Sequence, residues 1–160
     1  MSGRIYITGD CHNNFSKFNT EYFYTQKELD KDDYLIICGD FGGVWASHEE
    51  SRQEQWNLKW LDAHTYTTLF IDGNHENFDR LYQYPIKRWH GGLVHVIRST
   101  ILHLMCGQIY NICDKTIFCM GGASSIDIDG GILDSDDPEL KAKKRELDNV
   151  VVKLFCNTLT

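Results

Sequence analysis

The chain reads as an α/β protein built on a parallel sheet, and three observations lead there. Short β-type apolar runs occur at residues 4–8, 34–38 and 67–71. Stretches with helical spacing separate them, and each run gives way to a polar turn containing glycine. The resulting order β-α-β-α-β produces a parallel sheet with crossover helices. At 160 residues and 18.6 kDa the chain is sized for one domain, expected over 1–160, with enough length to bury a core.

Each element follows from its residues. The first run, RIYIT, ends in Gly9-Asp10; beyond it Phe15, Phe18 and Tyr22 fall at i, i+3 and i+7, predicting a helix that fades near Leu29. The second run, YLIIC at 34–38, is apolar throughout, as suits a strand covered on both faces. Ser47 and Glu50 have capping-box spacing, so a helix is expected to start there, with Trp56, Trp60 and Ala63 as its apolar face. The third run, TTLFI at 67–71, also leads into Asp-Gly. Beyond Pro85 the segments at 93–98, 101–105, 109–112 and 116–120 are short and closely spaced, predicting an antiparallel meander. Asp136-Asp137-Pro138 has the form of a helix start leading into the charged stretch 139–148.

Composition excludes several classes. Hydrophobic residues at 42% and charged residues at 24% argue against wholesale disorder, and no apolar run approaches the ~20 residues of a membrane-spanning helix. A net charge of −7 disfavours nucleic acid as a partner, because broad backbone binding needs a basic excess or stripe. An acidic chain that handles phosphate needs local positive charge, and a bound metal is one source. The six cysteines form no CxxC pair and the first residues have no secretion-signal pattern, so reduced thiols in the cytoplasm are expected.

The chemistry gathers at the three strand ends, which carry Gly9-Asp10-Cys11-His12, Gly39-Asp40-Phe41-Gly42-Gly43 and Gly73-Asn74-His75-Glu76. Asp10 to Asp40 spans 30 residues and Asp40 to Asn74 spans 34, each about one βαβ unit. Ligands in open α/β sheets bind beyond the carboxyl ends of the strands, so the three loops should line one cleft. Asp10 and His12, two apart, share a side on extended backbone. Carboxylate with imidazole suits Mn, Fe or Zn, and Asp40 has two oxygens with which to bridge two ions. Two ions ~3.5–4 Å apart clamp the attacking and leaving oxygens of an in-line displacement at phosphorus.

The order D-x-H, G-D, G-N-H-E resembles the calcineurin-like metallophosphoesterase family, and the segment GGASSID at 121–127 is similar to one found in a bacterial branch of it. The likeness spans roughly residues 4 to 128. It implies a four-layer α/β sandwich with the meander after Leu93 in the second sheet, and a site holding two divalent ions (Mn, Fe, Zn or Ni). By that resemblance Asp10 and His12 hold the first ion, Asp40 bridges both, and Asn74 ligates the second and touches a phosphate oxygen. His75 is implied to give a proton to the departing alkoxide or to orient the phosphate. The implied activity is hydrolysis of phosphate mono- or diesters, in a phosphorylated small molecule or other phosphoester, by metal-activated water.

The chain departs from the family pattern in two ways. Position 43 is Gly where the second motif usually carries Asp. No histidine follows His103, so a further metal-binding His and a G-H-x-H motif, three customary ligands together, have no counterpart. His95 and His103 alternate with apolar neighbours and are expected to be polar-face residues. The sandwich is therefore expected to be incomplete at the C-terminus, with a tail after Asp148 unlike the family. It should self-associate through an uncovered edge or by exchange of residues 136–160. Two other functions stay open: a catalytically weak remnant that binds metal or phosphate or serves as an interaction module, and a nuclease of the same family.

Remaining features carry less. Trp45, Trp56, Trp60 and Trp89 offer stacking surface for bases, but Trp56 and Trp60 lie at helical spacing and are expected in the core. Gly42-Gly43 and Gly91-Gly92 open no G-x-x-x-x-G-K pattern, which excludes a nucleotide P-loop. Cys11 is expected to point away from the metals.

Overall fold

The computed structural model describes residues 3–121, all within a compact unit spanning 1–123. The expected helix start at 136, the charged stretch 139–148, the segment after Gly121 and the exchange segment 136–160 lie outside the described residues.

Three parallel strands form as the apolar runs require: β1 (Ile5–Gly9), β2 (Tyr34–Cys38) and β3 (Thr67–Ile71). They pair in register, with Gly9 opposite Cys38 and Cys38 opposite Ile71, so their carboxyl ends lie side by side. Alternation along β2 sends Leu35 and Ile37 to one face and Tyr34 and Ile36 to the other. The first face packs against Leu58 and Leu61 of helix α1 (Arg52–Asp62) and against Phe15 and Phe18.

Two helix expectations are corrected. Residues 15–29 form two short 3₁₀ turns, Ser16–Phe18 and Tyr24–Glu28, instead of an α-helix. The i, i+3 spacing of Phe15 and Phe18 serves a 3₁₀ turn equally well, and both rings are buried while Tyr22 is exposed. The buried Gln26 amide donates to the carbonyls of Phe18 and Phe23 and ties the two turns together. Helix α1 begins one turn later than expected, because Ser51 and Glu54 make the capping box and Glu50 instead bonds Arg98 and Tyr84. Its buried side is Glu54, Asn57, Leu58 and Leu61; Trp56 is 61% exposed and stacks on a partly buried Trp60.

The meander is also divided differently. A four-residue helix α2 (Phe78–Leu81) and an edge strand β4 (Ile86–Trp89) precede β5 (Gly92–Arg98) and β6 (Ile101–Leu104). Strand β6 inserts parallel to β3, and β5 and β4 follow antiparallel, giving a six-stranded sheet in the order β1-β2-β3-β6-β5-β4. Among the described residues, only the hairpin β7 (Ile109–Ile112) and β8 (Lys115–Phe118) belongs to a second sheet. Tyr110, Ile112 and Cys119 from that region pack on Tyr34, Ile36, Leu69 and Leu104. The described layers are thus helix, six-stranded sheet and second sheet.

Candidate metal centre

The loops after β1 and β2 are hydrogen-bonded to each other along their main chains. Cys11 and His12 donate to the Asp40 carbonyl at 2.9 and 2.8 Å, and Asn13 donates to the Phe41 carbonyl at 3.1 Å. Asn57 of α1 reaches in and donates to Asn13 Oδ1 at 2.6 Å. Asp10, His12, Asn13 and Asp40 all take left-handed backbone, with φ of 55°, 44°, 61° and 47°. The shared direction of Asp10 and His12 therefore does not come from extended alternation as expected. Non-glycine residues in this region cost of order 1–3 kcal/mol each and cluster at functional sites. Gly42 permits the contact, since a Cβ there would lie 2.6 Å from the Asn13 nitrogen.

This bending brings three donors together. Asp10, His12 and Asp40 each offer a ligand atom within 4.8 Å of the other two. His12 Nε2 lies 2.7 Å from Asp10 Oδ1 and 3.7 Å from Asp40 Oδ2, with Asp10 and His12 open to solvent. Two oxygens and an imidazole nitrogen, converging and exposed, fit one divalent cation of the Mn, Fe or Zn type. It is the one cluster of three or more such groups among the described residues. Cys11 is buried with its thiol toward the Gly9 carbonyl, away from the donors, and burial pushes its pKa up.

The third loop adds the remaining residues. Asn74 lines a cleft of about 550 Å³ together with Asp40, Asp72 and Gly73. The His75 N–H donates to Asp40 Oδ1 at 3.0 Å, and the His75 ring stands edge-on to His12 at 5.1 Å. Gly73 is required here, because a Cβ would fall 2.1 Å from Asp40 Oδ1. A second cleft, around Arg80 and Tyr84, carries none of these donors.

Three features of the site were not assigned from sequence. Glu76 is buried and accepts from the Phe41 and Gly42 N–H groups at 2.6 and 3.3 Å, locking the third loop to the second. Burial, with Asp40 and Asp72 nearby, pushes its pKa up to about 8. Trp45 lies 6.2 Å from the His75 ring, centroid to centroid. Finally, His95 and His103 are not polar-face residues: both are 2% exposed. Their Nδ1 atoms are 3.0 Å apart, and His103 Nε2 lies 3.0 Å from Asp72 Oδ1. Burial and the neighbouring His103 push His95 below the usual imidazole range. The signal for this chain of contacts was present in the alternation of both histidines with apolar residues, but their partners come from another strand.

The model of the calcineurin-like phosphoesterase family matches residues 3–155, and the chain belongs to that family. The match runs past Asp148, where the tail was expected to be unlike the family. Among individual proteins the chain is similar to lariat debranching enzyme A of Xenopus laevis, 33% identical over 98 residues. That similarity takes in 54% of this chain and 18% of the debranching enzyme. No solved structure matches.

Proposed function

We propose that the chain is a metal-dependent phosphoesterase that hydrolyses phosphate mono- or diesters. The observation that carries this is the convergence of Asp10, His12 and Asp40 at the ends of adjacent parallel strands. We assign these three residues to a first divalent ion, and Asp40 with Asn74 to the position of a second. A divalent ion held there supplies charge against phosphoryl oxygens and lowers the pKa of water. His75 is the residue we assign to the leaving oxygen, as proton donor or as a hydrogen bond that orients the phosphate. Its N–H donates to the Asp40 carboxylate, which supports the reading by holding its backbone beside the donors.

The test is manganese-dependent hydrolysis of p-nitrophenyl phosphate and its bis ester by the wild type, Asp40→Asn and His75→Ala. We expect losses of about 10²–10⁴-fold in His75→Ala, the usual worth of positioned proton transfer, and at least as much in Asp40→Asn. Equal rates in all three proteins would leave the remnant reading. Metal analysis of the purified protein counts the ions per chain.

A second reading, cleavage of a phosphodiester within nucleic acid, is favoured by the likeness to a lariat debranching enzyme and opposed by the net charge of −7. Faster turnover of the bis ester than of the monoester would support it. We assign the chain to the cytoplasm on its six cysteines, whose spacing suits reduced thiols. The support for self-association is that β1 is an edge among the described strands, with Ile7 71% exposed; light scattering of a clean monomer at high concentration would overturn it.

A further inference from the structure

We infer that Trp45 is the substrate-facing wall of this site and that it selects phosphoesters whose leaving group carries a planar ring. This rests on the phosphoesterase reading and adds the class of substrate.

An exposed tryptophan is by itself unremarkable on a protein surface. What distinguishes Trp45 is how much of the molecule holds its backbone while leaving its indole in solvent. The chain is anchored in the core at Phe41 and Val44, both fully buried, and emerges at Trp45, which is 56% exposed. From there the main chain is held on two sides. The Trp45 and Ala46 N–H groups both donate to Glu54 Oε1. Their carbonyls accept from the Asn77 side-chain amide at 3.4 and 2.8 Å, and the Asn77 N–H donates to the Val44 carbonyl at 3.1 Å. Arg80 donates to the Ala46 carbonyl at 2.8 Å and closes the clamp with an ion pair to Glu54 at 2.9 Å.

Glu54 and Arg80 are almost wholly buried, at 1% and 6% exposure. A buried ion pair contributes little net stability relative to well-packed apolar residues, and a better-attested use is to fix geometry. The geometry fixed here is that of one loop against Asn77, two residues beyond His75. The clamp fixes the backbone from which the indole projects, and the indole lies beside the His75 ring, 6.2 Å away, while His75 in turn stands 5.1 Å from His12. With His75 serving the leaving oxygen, the group bonded to that oxygen extends away from the donors, toward the indole. A solvent-exposed indole on an anchored backbone favours a planar ring by stacking and gains less from a saturated one of equal size.

The experiment compares benzylphosphonate with cyclohexylmethylphosphonate, which resist hydrolysis and differ in the planarity of the ring. Their binding to manganese-loaded protein is measured by calorimetry, and hydrolysis of the corresponding phosphates is measured alongside. Benzyl should be preferred about three- to tenfold in the wild type, much less in Trp45→Ala, with partial recovery in Trp45→Phe. Equal affinities in the wild type, or a preference that survives in Trp45→Ala, would overturn the inference while leaving phosphate hydrolysis intact. Absence of both binding and hydrolysis would sink the parent reading and this one with it. A nucleoside 5′-monophosphate as a third ligand separates the two sources of a planar ring: tighter binding than benzylphosphonate means a nucleobase, weaker binding a simple aryl group.

Discussion

Two histidine–carboxylate pairs in this molecule have nearly the same contact distance and opposite surroundings. His12 lies 2.7 Å from Asp10, with half of the imidazole and most of the carboxylate in water. His103 lies 3.0 Å from Asp72 with both side chains at or below 10% exposure. The first pair sits on left-handed backbone beyond a strand end; His103 sits in the regular ladder of β6. In the first, both side chains face solvent, from which an ion can reach them. In the second, His95 occupies the remaining imidazole nitrogen edge to edge, and the Phe70 ring packs against His103 at 4.9 Å. Residue type is the same in both; burial decides whether a pair is open to a ligand or already satisfied.

The sharpest way to break this comparison is to remove each imidazole in turn. His103→Leu keeps the volume but leaves Asp72 and His95 buried without their partner. We expect a loss of about 3–5 kcal/mol in urea denaturation, the range seen when one member of a buried pair is deleted. His12→Asn, chosen because asparagine tolerates positive φ, should change the stability of the metal-free protein by less than about 0.5 kcal/mol. Similar losses in the two variants would erase the distinction between an open pair and a closed one.

The same contrast explains what could be read from the sequence. Strands β2 and β3 are runs of five residues that tolerate burial on both faces, and their bounds were legible to the residue. Strand β4 was missed because its exposed Ile-Lys-Arg pattern is that of an edge, where charge discourages further pairing. The division of the meander had a signal that went unused. All four residues of β6 are buried, as a central strand needs, whereas β7 alternates exposed and buried, as a one-sided strand does. The helix start was displaced by one turn because Ser47–Glu50 and Ser51–Glu54 have identical spacing, and distant partners decide between them: Arg98 and Tyr84 take Glu50, and Arg80 takes Glu54. At the site, the strand-end motifs identify the residues that the loops bring together. The Glu54–Arg80 clamp on Trp45 and the His95–His103 pair across β5 and β6 depend on partners 26 and 8 residues distant, which no local pattern encodes.

Metal should sharpen the comparison by acting on one pair alone. An ion that binds only the folded chain stabilises it by RT ln(1 + [L]/Kd), about 2.7 kcal/mol at a hundredfold excess over Kd. Manganese should therefore raise the melting temperature of the wild type and leave Asp40→Ala unmoved, since Asp40 is the donor shared with the second and third loops. The His103→Leu protein, starting from a lower melting temperature, should show the same metal increment as the wild type. A smaller increment would mean that the buried pair shapes the open one through Asp72, which lines the cleft with Asp40 and Asn74.

The smallest expected effect comes from a third pair, at the opposite end of the strands that carry the donors. Arg4, just before β1, donates to both oxygens of Asp33, just before β2, and the Arg4 and Asp30 N–H groups add further bonds. The side-chain bond to Arg4 is the largest cause holding the Asp33 carboxyl down at about 2, below the usual carboxylate range. A carboxyl lowered by folding stabilises the native state above its unfolded pKa of about 3.9, and that stability is lost as pH falls through the folded value. Asp33 is buried, but Arg4 is half exposed, and solvent there screens part of the gain. Unfolding free energies measured between pH 5 and pH 2 should therefore fall more steeply for the wild type than for Asp33→Asn, the two curves converging toward pH 2. Parallel curves would show that these strands are held at their base by the ladder alone, and the strained loops at their other ends would then depend on the β1–β2 pairing without that clamp.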